Sequence, residues 1–498
     1  MGNVLFDTRT ARVVDTIADL PASPSNGAIC QTKRYSSSHT VGDGSGNLYQ
    51  WVAGDSTTTD GGFVITGTGG RWHAVDKSVI RPYQFGLVGS GDEGSELQAL
   101  LDKASAGQIP ILLDADTFTT STDLVFSSNT HVQGELGSGS SYRSRIALTG
   151  EARILMHGTD GAGTGWSFQN SLRNVRIVPP TRTAHAVTFD SATDTFTLAS
   201  HGWDAGTLVY LDASAAPSGY TAKRCYYVIN PTADTFQLAY YPSGSAINGT
   251  TAGTSVTVRL DELIRVGASY WNILENVGVT DTAAGFLNVT SGNQNTFTDL
   301  ILDGTGTSTS GTLISLVGGS SIVTRPSVQS ALIGVFFGGG SHVVRDMYAE
   351  TCFHAVSIRS PSSVASTSLQ KFLLHGGHLK QNNGGFCVAW YDSANVTIDA
   401  IAEQWYSGST YANYVYGTTI ANSHVRNMPR SHWQSSVGVE SGNTKLIDFG
   451  SVVRTGQGTP ESTVTGNVGD LFVRLDGGAS TTLYVKESGT GNTGWVAK

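Results

Sequence analysis

One pattern is written again and again between residues 271 and 426. Its unit is an apolar residue, an outward residue, a turn residue that is usually Asn or Asp, and then alternating apolar positions. Leu274-Glu275-Asn276-Val277-Gly278-Val279 is the clearest copy. Phe297-Thr298-Asp299-Leu300-Ile301-Leu302, Val344-Arg345-Asp346-Met347-Tyr348-Ala349, Leu369-Gln370-Lys371-Phe372-Leu373-Leu374 and Ser393-Ala394-Asn395-Val396-Thr397-Ile398 continue it. The turn residues Asn276, Asp299, Asp346, Lys371 and Asn395 stand 23, 47, 25 and 24 residues apart, the 47 being two steps. Asn422 is a weaker copy, 27 residues further on. A fixed period in the twenties, with strand-like alternation inside each copy, is the signature of a solenoid. The Leu-x-x-Leu-x-Leu ladder of leucine-rich repeats is absent. Val, Ile, Thr, Phe and Gly dominate over good helix formers, so each turn is expected to be strands alone. The fold class is therefore all-β, with a right-handed parallel β-helix at its centre. One turn cannot bury its apolar side alone, but stacked turns share a core and cover each other's edges. Asn or Asp at the bend tolerates the left-handed backbone of a corner.

Composition fits this reading. Charged residues are 14% and Gly is 61 of 498, while apolar residues at 39% are enough for a core and exclude a disordered chain. The formal charge of −9 argues against nucleic acid or an anionic membrane as partner. The longest apolar run, 331–337, is too short to span a bilayer. Cys30, Cys225, Cys352 and Cys387 lie far apart with no C-x-x-C pair, and read as buried free thiols made in a reducing cytosol. The start, Met1-Gly2-Asn3-Val4-Leu5-Phe6, shows no signal-peptide pattern, and Phe6 stands where myristoylation needs Ser or Thr.

Five segments are expected. Residues 1–80 are a small β-rich head, anchored by Tyr49-Gln50-Trp51, Asp60-Gly61-Gly62 and Trp72. Residues 81–180 hold an amphipathic helix and the first solenoid turns. Ser95 with Gln98 forms a capping box there, Leu97, Leu100, Leu101 and Ala104 form one apolar stripe, and Gly107 ends it. Such a helix would cap the open end of the core. Residues 181–260 break the repeat: from Asn174 to Asn276 is 102 residues, about four periods, of different text. Asp194-Thr195-Phe196-Thr197-Leu198 recurs there as Asp234-Thr235-Phe236-Gln237-Leu238, so this is an inserted β-module. Its Trp203, Tyr226 and Tyr240 either bind sugar or fill the module's own core. Residues 261–430 are the main coil. Residues 431–498 end in a hairpin, with Leu471, Val473 and Leu475 facing Leu483 and Val485 across Asp476-Gly477-Gly478.

The order Tyr49-x-Trp51, Asp60-Gly61-Gly62, Trp72, then Phe85-Gly86-Leu87-Val88-Gly89 and a helix resembles the head of bacteriophage tailspikes of the pectate-lyase-like β-helix type. The ending, Gly469-Asp470-Leu471-Phe472-Val473-Arg474 through Gly494-Trp495-Val496, resembles the closing module of many phage tail fibres. The resemblance implies a homotrimer in the virion tail, made in the host cytoplasm, working at the bacterial surface, and joined to a tail or baseplate protein by its N-terminal module. It implies a receptor-binding protein for host surface polysaccharide that hydrolyses it as an endoglycosidase; the alternative is a non-catalytic structural or adhesive fibre. No cofactor is implied.

Cleavage usually needs two carboxylates flanking the scissile bond. The fourth residue after each turn residue, placed outward by alternation, gives one column: Asp303, Glu350, His375 and Asp399, with Arg426 at its frayed end. Glu350 and Asp399, two turns apart, are the candidate acid and base, with His375 between them to orient a hydroxyl or hold a carboxylate ionised. A second outward column holds His354, Leu379 and Glu403. Asp303, Glu403 and Arg426, with the aromatic Trp390, Tyr391, Trp405 and Tyr406, are candidate substrate-binding residues. The same acids could be plain solvated surface, and the aromatics could line a contact between chains. A lyase would want a basic residue beside the site, which makes Arg426 matter. His375-Gly376-Gly377-His378 has no third ligand at useful spacing, so no metal site is expected.

Overall fold

The computed structural model describes residues 12–137, 142–157, 166–242, 244–306, 311–359, 371–390, 393–394, 396–404, 413–415, 420–421, 424–426, 433–435 and 453–498. Most of these wind into a coil of parallel strands, a 22-stranded sheet in which each strand pairs with its equivalents one turn before and after. A turn has three strands, so three stacks run along the axis. The first stack holds Asn295–Thr298, Ser320–Thr324 and the opening of Ser341–Ile358. The second holds Ile301–Gly304, Ser327–Gln329 and the middle of Ser341–Ile358. The third holds Leu287–Val289, Thr312–Leu316, Ile333–Phe337 and the end of Ser341–Ile358. Alternation supplies the core directly: Leu172, Leu274, Phe297, Val323, Val344 and Leu374 occupy one register column and all are buried.

The corners between the first and second stacks explain the period and correct part of it. Asn174, Asn276, Asp299, Arg325 and Asp346 all take left-handed φ angles between +51° and +56°. Arg325 is the missing step inside the 47-residue gap. Lys371 is no corner: it lies in a strand and pairs with Ser341. The corner of that turn is Gly376, φ +68°, where a side chain would press on Asp346 Oδ1 at 2.5 Å. The pattern fails there because glycine reaches the same backbone region with no side chain to mark it. Asn395 and Asn422 lie outside the described residues. Asn174 and Asn276 are also adjacent turns, joined by Asn276 Nδ2 donating to Asn174 Oδ1 at 3.0 Å, so the 102 residues between them are one turn plus an insertion, not four periods.

The helix Gly94–Gly107 closes the first end of the core, with Leu97, Leu100, Leu101 and Ala104 buried. It has no capping box. Its N-cap is Glu93, whose carboxylate accepts the Val88 and Gly89 N–H groups, while Gln98 reaches sideways to Val125. Before it stands a five-stranded head sheet with Tyr49, Trp51 and Trp72 fully buried. Asp60 shapes the bend there by accepting the Gly62 and Val64 N–H groups, and its other oxygen takes Lys103 of the helix at 2.5 Å, which ties head to coil.

Residues 185–260 form a seven-stranded sheet, antiparallel throughout, that leaves the chain at the end of the second stack and returns to it at the third. Trp203 and Tyr226 belong to its own apolar core, so they are not an exposed sugar platform. At the other end of the chain, Leu471–Arg474 pairs antiparallel with Leu483–Lys486. Leu471 faces Val485 and Val473 faces Leu483, as expected, while the buried side of the hairpin is Phe472, Tyr484 and Trp495. The aromatic rings fill the small core, and Leu475 is left 69% exposed.

His342, inside the coil beside the Phe372 ring, is fully buried, and burial pushes its pKa down to about 4. Below the ordinary value of 6.5 the unfolded chain takes up a proton that the folded one refuses, so this residue's contribution to stability falls as pH drops from 6.5 to 4. The loss should reach ~3 kcal/mol. Denaturant titrations at pH 7 and pH 4.5 should show this slope in the natural protein and its absence in His342→Leu. Parallel pH profiles of the two proteins would refute it.

Candidate functional site

The register sorts the candidate residues into two columns rather than one. His375 pairs with Arg345 on one side and Asp399 on the other, and Asp399 pairs with Arg426. This column belongs to the first stack, just before the left-handed corner. Glu350 lies beyond that corner, in the second stack, where it pairs with Gln329 and Gln329 pairs with Asp303. Glu350 and Asp399 are therefore not partners along one column. The shift follows from the corner at Gly376: counting from Lys371 put His375 on the wrong side of the bend, and Asp399, counted from Asn395, pairs with His375. Glu403 is on the second stack, paired with Lys380, whose neighbour Leu379 pairs with Ala349. Trp390 shares its register position with Ile358. Tyr391, Trp405 and Tyr406 lie outside the described residues.

The second-stack column is the acidic one. Asp303, Gln329 and Glu350 alternate with buried Leu302, Val328 and Ala349, which turns the three polar residues outward. Adjacent strands lie about 4.8 Å apart, so the backbones of Asp303 and Glu350 are roughly 10 Å apart with Gln329 between them. Tyr348 donates its hydroxyl to Glu350 Oε2 and fixes that carboxylate. Asp303 Oδ1 is buried and has no hydrogen-bond partner among the described residues. Such an atom carries a desolvation cost that a ligand hydroxyl would relieve.

Around the next corner, at Ser330 and Thr351, the third stack faces the inserted module. An open-sided cleft lies between them. The coil lines it with Thr312, Phe336, His354, Ser357 and Arg359, and the module with Arg224, Tyr227 and Tyr240. Arg359 lies over the Tyr240 ring, 3.6 Å from its centroid. Asp261 sits behind the lining, accepting from the Cys225 thiol (3.0 Å) and the Gly285 and Thr312 N–H groups; its complete burial raises its pKa to about 6. The sequence could not show this cleft, because its two walls come from segments that are far apart in the chain.

A second feature escaped the sequence. Trp166, Phe168, Tyr270 and Trp271 form a ledge of rings with centroids 4.9–6.1 Å apart, and Trp166, Phe168 and Trp271 are exposed. The insertion hides their adjacency: Phe168 and Tyr270 stack because their strands are successive turns.

A small head sheet thus precedes a helix-capped parallel β-helix that carries polar columns along its outside. Residues 13–77 match the phage tail protein small four-stranded beta-sheet domain. No curated protein matches the chain. Among solved structures it is similar to a tailspike of Acinetobacter baumannii bacteriophage Fri1, described as a capsular polysaccharide depolymerase, at 11% identity and a TM-score of 0.42, covering 88% of this chain and 77% of that one. The enzymatically active domain of bacteriophage CBA120 tailspike protein 2 gives 14% and 0.42, covering 96% and 68%. The A-module of an Azotobacter vinelandii mannuronan C-5 epimerase gives 12% and 0.41, covering 72% and 88%. The fold itself is read from the strand pairing of this chain.

Proposed function

We propose that this protein is a tailspike that binds a host surface polysaccharide and hydrolyses it, with Asp303 and Glu350 as the carboxylate pair. The observation that carries the reading is the outward Asp303–Gln329–Glu350 column on a coil joined to a phage-tail head domain. Side-chain reach from backbones roughly 10 Å apart allows the carboxyl separation of about 6.5–9.5 Å used by inverting glycosidases, with room for a water. Gln329 would hold a sugar hydroxyl between the two acids. His375, Asp399 and Arg426, one corner away, and Glu403 further along the coil would line the same extended glycan.

The protein works as a homotrimer in this reading. The C-terminal sheet supports it: Leu475, Leu483, Val468 and Val496 are exposed apolar residues on a module whose own core is three rings. Around a threefold axis each residue meets its own copies, which apolar side chains tolerate and like charges do not. The head would join the tail or baseplate.

Purified surface polysaccharides incubated with the protein should shorten and gain reducing ends. Asp303→Asn and Glu350→Gln should each lower that rate about 10²–10⁴-fold, whereas Asp399→Asn should change it only a few-fold. A fall on Asp399→Asn alone would move the site to the His375 column. Unsaturated sugar products would make the enzyme a lyase. Full-length polysaccharide with intact cell binding would make the protein an adhesive fibre.

A further inference from the structure

We propose that the ledge of rings formed by Trp166, Phe168, Tyr270 and Trp271 holds a sugar unit of the polysaccharide, at a site separate from the acidic column. This rests on the reading of the protein as a polysaccharide binder, and it adds a holding site to the cutting one. Among the described residues, every exposed Trp and Phe lies in this ledge: Trp166 at 49%, Phe168 at 38% and Trp271 at 45% exposure. Single exposed apolar residues are ordinary, but rings gathered in one place mark a binding surface.

The backbone points the same way. Asn129, Gln169, Trp271 and Gln294 hold equivalent places at the corner that leads into the first stack, two residues before the aligned His131, Ser171, Ile273 and Thr296. All four are left-handed, with φ of +61°, +59°, +58° and +60°. Asn tolerates that conformation, whereas a bulky ring strains it. Trp271 thus costs the fold strain, leaves its ring in water and adds nothing to the core. A residue kept in a strained backbone without a packing return is the kind retained for a ligand. Its ring is also held in place, because the indole N–H donates to Gln294 Oε1.

The chemistry of the ledge is that of sugar recognition. Ring faces carry partial negative charge and attract the polarised C–H bonds that a pyranose gathers on one face. Tyr270 is the hub: its ring centroid lies 4.9 Å from Trp166, 5.6 Å from Phe168 and 5.7 Å from Trp271. The corner amides Asn129, Gln169 and Gln294 suit the hydroxyls around a sugar's edge. A second copy of the chain is the other candidate occupant, and the ledge is too small for it. A stable contact takes roughly 800 Å² from each partner, and three half-exposed rings of about 150–250 Å² each supply less than half of that. The rings also stop after two turns, where Gln294 and then the glycine corners Gly319 and Gly340 follow. One glycan can reach both sites: Gln294 and Asp303 are nine residues apart, at most about 32 Å even fully extended.

The test measures binding of the full chain to an array of purified bacterial surface polysaccharides. Trp271→Asn should lose about 10-fold in affinity, the share of one stacked ring, and Trp271→Phe much less. The same Trp271→Asn should melt no lower than the natural protein, since Asn suits the corner better. Its molecular mass by light scattering should be unchanged. Phe168→Ser carries the test should Trp271→Asn not fold. Undiminished affinity in Trp271→Asn would overturn the ledge and leave the polysaccharide reading standing. A fall in molecular mass would make the ledge a contact between chains and overturn the proposal. Binding of the natural protein to no polysaccharide would overturn both.

Discussion

Gly319→Ala should abolish the folded coil or cost it about 4 kcal/mol or more, a large fraction of the ~5–15 kcal/mol that holds a typical domain together. Gly292, Gly319 and Gly340 stand one above another where the third stack turns back into the first, with φ of +90°, +71° and +76°. Their carbonyls form the rungs of that corner: Gly292 accepts the Ser320 N–H at 2.9 Å, and Gly319 accepts the Ser341 N–H at 2.8 Å. A Cβ on Gly319 would overlap the Gly292 carbonyl, and one on Gly340 would overlap the Gly319 carbonyl. The obstacle is backbone on both sides, so no rotamer change can relieve it. The left-handed conformation alone costs a non-glycine residue about 1–2 kcal/mol. Gly54 isolates that term, because its φ is +73° and nothing lies within 4 Å of its would-be Cβ. Thermal unfolding followed by far-UV circular dichroism should separate the two variants widely. Were Gly319→Ala to melt within a few degrees of Gly54→Ala, the close-approach argument would fail.

The second large effect concerns the joint between module and coil. Glu262 is fully buried at the return of the inserted chain. One of its oxygens takes Arg265 and Arg153, the latter at 3.1 Å; the other accepts Asn288 Nδ2 at 2.5 Å and the Leu208 N–H at 3.2 Å. Arg265 in turn reaches the module through Asp204 at 2.7 Å and Thr207 at 2.5 Å. Two guanidiniums and one carboxylate thus bolt the module on from inside, and these ions have little water to fall back on. Arg265→Met should cost ~3–5 kcal/mol, because it strips a buried acid of half its compensation. It should also speed proteolysis at 179–184, the strand-free link into the module. The double variant Arg265→Met/Glu262→Gln should recover much of the loss, since the uncompensated charge is then gone. If the double variant were no more stable than the single one, the charge balance at Glu262 would not be what holds the joint.

Much of the coil was legible because its cause is local. Alternation puts Leu274, Phe297, Val323 and Val344 inward whatever lies elsewhere in the chain, and Asn276, Asp299 and Asp346 mark corners because their side chains tolerate a left-handed backbone. The same rule misled at Lys371. A corner can be made by Arg325 or by Gly376, and neither announces itself as Asn does. Counting from Lys371 put His375 in one column with Glu350, from which the corner at Gly376 separates it, since a column is a statement about register and register depends on where each corner falls. The hairpin at the end was legible in its pairing, Leu471 with Val485 and Val473 with Leu483, but not in its buried side. Either face of an alternating strand can be the buried one, and the choice fell to the rings of Phe472, Tyr484 and Trp495.

The sequence alone determined that this chain stacks strands in parallel turns, begins with a Trp-rich head and carries a foreign β-module in mid-repeat. Periodicity, turn chemistry and composition act within one turn, so one turn's text is enough to reveal them. Only the tertiary structure decided which outward residues share a column, that Phe168 stacks on Tyr270, and that Arg224 and Arg359 line one cleft. Those contacts join residues one turn apart or, across the insertion, about a hundred or more apart, and their energies depend on where neighbouring turns and an inserted domain come to rest.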